Sequence, residues 1–175
     1  HPAMKTVAPI RRALGVKTFF NMLGPLTNPA NPEFQSVGVF SLELARLYAY
    51  LYQGGEKKYS IMHALDGYDE ISLTGDFKVI DNAGEHYFQV SDLGFDPVLA
   101  EQIGGGSNPA ESAAVFRKII DGEGTDAQNQ VVLTNAAFAI KTLEPEKTFG
   151  DCFYEAESSL LGKKALNSLL KLTNG

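Results

Sequence analysis

The chain has 175 residues, 44% hydrophobic and 21% charged, a balance that suits one buried core better than two. Its formal net charge of −6 and pI near 5.0 argue against a general nucleic-acid role, because binding a phosphate backbone needs a basic field. The apolar runs 131–133 and 136–140 fall far short of the roughly 20 residues that a membrane helix requires, and the lone Cys152 permits neither an internal disulfide nor a cysteine-pair metal site, so a reducing cytoplasm is expected.

The chain opens at His1 with no initiator methionine and no signal-peptide pattern, and reads as a cut piece. Met4, Val7, Ala8 and Leu14 recur at near-helical spacing, with Pro9 as a bend or break and Gly15 as a stop. Residues 18–32 mix Phe19, Phe20, Met22 and Leu23 with Gly24, Pro25, Asn28, Pro29 and Pro32, which predicts a long loop with buried contacts. A strand is predicted over 36–40, then a helix over 42–52 capped by Ser41 and ended by Gly54 and Gly55, then a buried strand over 59–63. This strand, helix, strand order predicts a crossover with parallel strands. Short strands, at least partly antiparallel, are predicted over 71–73, 78–80 and 86–90, with turns at Gly75–Asp76 and Asn82–Gly84. Helices follow over 109–120 and 127–142, and one or two more between Asp151 and Leu172. The predicted fold class is α/β: a mixed sheet flanked by helices, with residues 1–175 as a single domain fragment.

The sharpest chemical signal is His63-Ala64-Leu65-Asp66-Gly67-Tyr68-Asp69-Glu70, which places carboxylates just after a predicted buried strand. Ligands of open α/β sheets bind outside the carboxyl ends of strands, and a Mg²⁺ ion is commonly held by one or two carboxylates plus substrate phosphates and water. Asp69 and Glu70 fit that role, although an acidic surface turn is the commoner meaning of such residues. His63 reads as a satisfied histidine at the sheet edge, since no nucleophile stands beside it. His1, Lys5, Arg11 and Arg12 form a basic stretch that is either a solvated helix face or a carboxylate site. Ten residues of continuous helix would separate His1 from Arg11 by about 15 Å, so both reach one small ring only if Pro9 redirects the chain. Gly104 to Asn108, ahead of a helix, could attract an anion but lacks a nucleotide-binding pattern and reads as a connection ending in a cap. Asn135 and Tyr154 are placed near helical cores, with internal hydrogen bonds as their expected fate.

Three runs together resemble anthranilate phosphoribosyltransferases in order and approximate spacing: His1-Pro2-Ala3-Met4-Lys5 with Val7-Ala8-Pro9 and Arg11; Phe20-Asn21-Met22-Leu23-Gly24-Pro25-Leu26-Thr27-Asn28-Pro29; and Asp66-Gly67-Tyr68-Asp69-Glu70-Ile71-Ser72. Leu133-Thr134-Asn135-Ala136-Ala137 is similar to the family's helix after its acidic loop, so the likeness covers His1 to about Thr142. The resemblance implies the fold class shared with class II (pyrimidine) nucleoside phosphorylases, in which a small helical domain packs on a larger α/β domain. It implies that Arg11 binds the anthranilate carboxylate, that His1 lines the anthranilate pocket, that Pro25 packs on the aromatic ring, and that Asp69 and Glu70 bind Mg²⁺ held by the pyrophosphate substrate.

The implied reaction joins anthranilate to phosphoribosyl pyrophosphate in tryptophan biosynthesis, with no protein nucleophile and no strong base. The family's pyrophosphate and ribose-phosphate segments have no match in these residues, so the piece alone is expected to be inactive. The resemblance implies a homodimer for the parent enzyme, through a helical domain that this chain lacks. A nucleic-acid-binding relative would need a basic groove and loss of the acidic pair; a nucleoside phosphorylase of the same fold class would prefer a pyrimidine base.

Overall fold

The computed structural model describes residues 22–173 together with Lys5 and Ala13, both of which are helical. The remainder of the predicted helix at residues 2–14 lies outside the described residues. From Met22 onward the predicted loop with buried contacts is present. Leu26 and Thr27 donate to the Leu23 carbonyl, each at 3.0 Å. Met22 and Leu26 pack against the core, and the Tyr48 hydroxyl donates to the Met22 carbonyl.

Strand β1 (Phe34–Gly38) leads through helix α1 (Leu42–Gln53) to strand β2 (Lys58–Ala64), and the two strands pair in parallel as expected of a crossover. Strands β3 (Phe77–Asp81) and β4 (Gly84–Phe88) add antiparallel, giving the order β1-β2-β3-β4. Ser41 caps α1 as predicted, its hydroxyl accepting from the Leu44 amide at 3.3 Å. Four further helices follow: α2 (Pro109–Ile120), α3 (Asp126–Leu143), α4 (Phe149–Leu161) and α5 (Lys164–Thr173).

Several predicted boundaries shift for identifiable reasons. β1 ends at Gly38 rather than at Phe40, because the Val39 carbonyl leaves the ladder and meets the His63 ring nitrogen Nδ1 at 2.8 Å. β4 runs over Gly84–Phe88 rather than 86–90, since the turn at Asn82–Ala83 opens with Asp81 opposite Gly84, and Val90 starts a 3-10 turn. The predicted strand at 71–73 does not form. Both backbone groups of Ile71 are taken by the Asn135 side chain, and Leu73 is left-handed with φ 59°, which removes both residues from any ladder. Tyr154 is 70% exposed rather than near a helical core, because Cys152, Ala156 and Leu160 form the buried stripe of α4 and Tyr154 projects from the other side.

Strict alternation along β2 divides the interior. Tyr59 and Ile61 face α1 with Val37, Ile80, Leu44, Tyr48 and Tyr52, whereas Met62 and Ala64 face the other way with Phe77, Val79 and Phe138 of α3. Leu133 of α3 packs with Ala156 and Leu160 of α4 in a third cluster. The result is α1, sheet and α3–α4 in successive layers. Phe77 and Phe88 stack at 5.2 Å, and Phe138 meets both edge-on at 5.7 and 5.5 Å. Phe138 is 5% exposed, so Phe138→Ala opens a cavity under the sheet and is expected to lower stability by about 3–5 kcal/mol in denaturant unfolding. A loss below about 1 kcal/mol would contradict this packing.

Candidate functional site

The parallel pairing brings the carboxyl ends of β1 and β2 side by side, and the loop of residues 65–76 rises there. Its two ends are drawn together by the Leu65 amide, which donates to the Asp76 carbonyl at 2.8 Å. A tight turn follows β2: the Ala64 amide donates to the Tyr68 carbonyl at 3.1 Å and the Gly67 amide to the Ala64 carbonyl at 3.0 Å. Gly67 has φ 104°, a conformation open to glycine. At the far side Ile71 and Leu73 are fully buried and anchor the loop in the core.

The four carboxylates in this loop, Asp66, Asp69, Glu70 and Asp76, fall into two kinds, and Asp76 accepts from the Tyr87 hydroxyl. Asp66, itself exposed, folds back along the loop, accepting from the Ser72 hydroxyl at 3.4 Å and from the Thr74 hydroxyl, so it holds the loop closed. Asp69 and Glu70 are exposed, and neither carboxylate has a hydrogen-bond or ion-pair partner among the described residues. Among these residues no group of three or more His, Cys, Asp or Glu is placed to hold a metal. A pair of hard, unpartnered oxygen donors nevertheless suits Mg²⁺, which takes its remaining ligands from substrate phosphates and water. His63 is 7% exposed, and because a carbonyl can only accept, its Nδ1 carries the proton donated to Val39. That leaves it the structural histidine the sequence indicated.

Two residues that hold the acidic loop were not singled out for that task from sequence. A β-carbon on Gly38 would come within 1.8 Å of the Asp69 carbonyl oxygen, so only glycine lets the loop lie on the end of β1. Asn135 of α3 was read as internally hydrogen-bonded, and it is, but its partner is this loop. Its Oδ1 accepts from the Ile71 amide at 3.0 Å, and its Nδ2 donates to the Ile71 carbonyl at 2.8 Å and the Val131 carbonyl at 2.9 Å. Neither role had a local signal, because each depends on residues brought together by the fold.

Of the anthranilate-facing candidates, His1 and Arg11 lie outside the described residues. Pro25 is half-buried, and its carbonyl accepts from Gln35 Nε2 at 2.7 Å, which ties its turn to the same β1 strand that ends against Asp69. At the opposite, amino end of β2 a cavity of about 460 Å³ opens between the sheet and α3, floored by Val79, Phe88 and Phe138. On its rim Lys141 donates to the Pro145 and Lys147 carbonyls, and the His86 ring meets Asp81 at 3.1 Å.

The glycine-rich segment 104–108 is not an open anion site, because the chain supplies its own anion. Glu111 accepts from the Ser107 amide, the Ser107 hydroxyl and Asn108 Nδ2, each at 2.8 Å, while Asn108 caps α2. The Ser107 amide and hydroxyl, then Asn108, hold the Glu111 carboxyl below the usual glutamate range. A depressed carboxyl stabilises the fold above its unfolded value, and that contribution is lost as pH falls through the folded one. NMR titration is expected to show Glu111 ionising below ordinary glutamates, and Ser107→Ala to raise it; an unshifted midpoint would remove this cap.

Residues 1–165 match the α/β domain of a glycosyl transferase family, and the chain belongs to that family. It is 52% identical to the anthranilate phosphoribosyltransferase of Christiangramia forsetii, over 98% of this chain and 52% of that protein. Its structure is similar to that of anthranilate phosphoribosyltransferase from Saccharomyces cerevisiae in complex with PRPP and Mg. The TM-score there is 0.86 and the identity 26%, over 97% of this chain and 48% of the yeast chain. A variant of the yeast enzyme in complex with 4-fluoroanthranilate is similar with TM-score 0.83 and 26% identity, over 97% of this chain and 50% of that one. The resemblance and the α/β fold class read from the motifs are therefore borne out. The chain spans about half the length of the curated relatives it matches. No described helix is long and apolar enough to cross a membrane.

Proposed function

We propose that the chain supplies the anthranilate-facing and metal-facing part of an anthranilate phosphoribosyltransferase, which makes N-(5-phosphoribosyl)anthranilate and pyrophosphate in tryptophan biosynthesis. The observation that carries this reading is the pair of exposed carboxylates, Asp69 and Glu70, without a partner among the described residues, on a closed loop at the carboxyl ends of two parallel strands. It is supported by a yeast relative whose structure holds PRPP and Mg.

In this reading the anthranilate amine attacks C1 of the ribose as the bond from C1 to the pyrophosphate oxygen breaks. The new bond forms between nitrogen and C1, the electron pair of the old bond leaves with pyrophosphate, and the amine proton passes to solvent or to the leaving group. An aromatic amine carries a free lone pair at neutral pH, so no side chain is needed as nucleophile or strong base. Bound Mg²⁺ would draw off the charge that develops on the leaving oxygens. Asp69 and Glu70 would hold that ion against the pyrophosphate, Arg11 would take the anthranilate carboxylate in a bidentate grip, and His1 and Pro25 would flank the ring. The protein's contribution is alignment of two substrates and a fixed electrostatic environment.

The proposal extends to organisation. Residues 1–175 form one α/β domain, and the groups for the pyrophosphate backbone and the ribose phosphate lie outside them. The complete enzyme is a homodimer in the cytoplasm, a compartment that suits a free buried Cys152. Turnover of anthranilate with phosphoribosyl pyrophosphate and Mg²⁺ tests the reading. In the complete protein that carries this chain, Arg11→Ala is expected to raise the KM for anthranilate by roughly tenfold or more, the loss of a charge-assisted hydrogen-bonded pair. Asp69→Ala is expected to weaken Mg²⁺ dependence, and the 175-residue chain alone to be inactive. No turnover by the complete protein, or turnover indifferent to both substitutions, would contradict the assignment.

A further inference from the structure

No hydrogen bond or ion pair restrains the side chains of Asp69 and Glu70 among the described residues, so their directions are set by the backbone that carries them. Two peptide planes meet at the Cα of Glu70. The first contains the Asp69 carbonyl, which lies so close to Gly38 that a β-carbon there would stand 1.8 Å from its oxygen and 2.9 Å from its carbon. The second contains the Ile71 amide, which donates to Asn135 Oδ1 at 3.0 Å, while Asn135 Nδ2 reaches the next carbonyl at 2.8 Å. Peptide units are rigid planes, so fixing both fixes φ and ψ at Glu70 and with them the direction of its Cβ.

We infer that Gly38 and Asn135 are positioning residues for the metal-binding carboxylates, holding the two peptide planes that meet at Glu70 and with them the direction in which its side chain leaves the loop toward the cation. This rests on the metal role proposed for Asp69 and Glu70. Gly38 works through absence of volume, and Asn135 through a carboxamide that matches a backbone amide and carbonyl at once. The burial of Ile71 alone would anchor the loop's end without fixing the rotation of the peptide before it. Residues that orient metal ligands without touching the metal commonly change its affinity by 10–100-fold.

The test uses the complete protein that carries this chain, with Mn²⁺ as the probe in the presence of inorganic pyrophosphate and binding read by electron paramagnetic resonance. Gly38→Ala and Asn135→Ala are expected each to weaken Mn²⁺ binding by about tenfold or more, in the direction of Asp69→Ala, with the KM for anthranilate nearly unchanged. Gly55→Ala is the control, because a β-carbon there meets only the Tyr52 carbonyl at 3.8 Å, an ordinary contact. Asn135→Ala also leaves buried backbone groups unpaired and lowers the melting temperature, so Gly38→Ala decides the matter if that variant does not fold. Mn²⁺ binding within about twofold of wild type in the folded variants overturns the inference. Wild-type turnover alongside that result leaves the transferase reading standing. A wild type that binds Mn²⁺ without turning over anthranilate overturns the transferase reading, and the variants still decide the positioning. A wild type that binds no Mn²⁺ removes the metal role and the inference together.

Discussion

A peptide that lies in neither helix nor strand must find partners for both of its polar groups once it is buried, and Ile71 finds both in the side chain of Asn135. Left unpaired, each of those groups would cost about 1–3 kcal/mol. With them satisfied from α3, residues 65–76 can be irregular at their outer end and still be anchored in the interior. Asp66 completes the arrangement by binding the Ser72 and Thr74 hydroxyls, which closes the loop on itself. Asp76 binds the Tyr87 hydroxyl, and Asp69 and Glu70 then stand exposed without a partner among the described residues, a condition that suits a cation shared with a substrate.

The rest of the fold serves this edge. The parallel alignment of β1 and β2 places two strand ends together, and His63, buried beneath them, holds the Val39 carbonyl where the ladder stops. Gly38 gives the acidic loop a surface without side-chain volume to rest on. Gln35, on the same strand, reaches the Pro25 carbonyl and so links the turn carrying that proline to the sheet. Elsewhere, Glu111 fills the start of α2, and Lys141 caps carbonyls after α3. The acidic pair stands at the carboxyl ends of two parallel strands, whereas the glycine-rich segment is already filled by Glu111.

Much of the architecture was legible because its signals are local. Asn108 followed by Pro109 fixes the start of α2 to the residue, since the asparagine caps and the proline cannot donate. Ser41 does the same for α1, and Asn82-Ala83-Gly84 marks the turn between β3 and β4. The misread segment, 71–73, has strand-like apolar alternation, but its backbone is claimed by a side chain 64 residues away and by a left-handed Leu73. The acidic pair was legible as a motif. That Asp66 rather than Asp69 or Glu70 would be engaged within the loop was not, because that is decided by Ser72 and Thr74 folding back on Asp66. Gly38 looked like any glycine near a strand end, and its purpose depends on a loop more than 30 residues further along the chain.

The most direct test of the account is crystallographic: the complete protein with phosphoribosyl pyrophosphate and Mn²⁺, using the anomalous signal to locate the metal. The account predicts a metal bridging pyrophosphate oxygens to carboxylate oxygens of Asp69 and Glu70 at about 2.1 Å, with the loop backbone still held by Gly38 and Asn135. A metal bound elsewhere, with Asp69 and Glu70 facing solvent in the occupied complex, would contradict it.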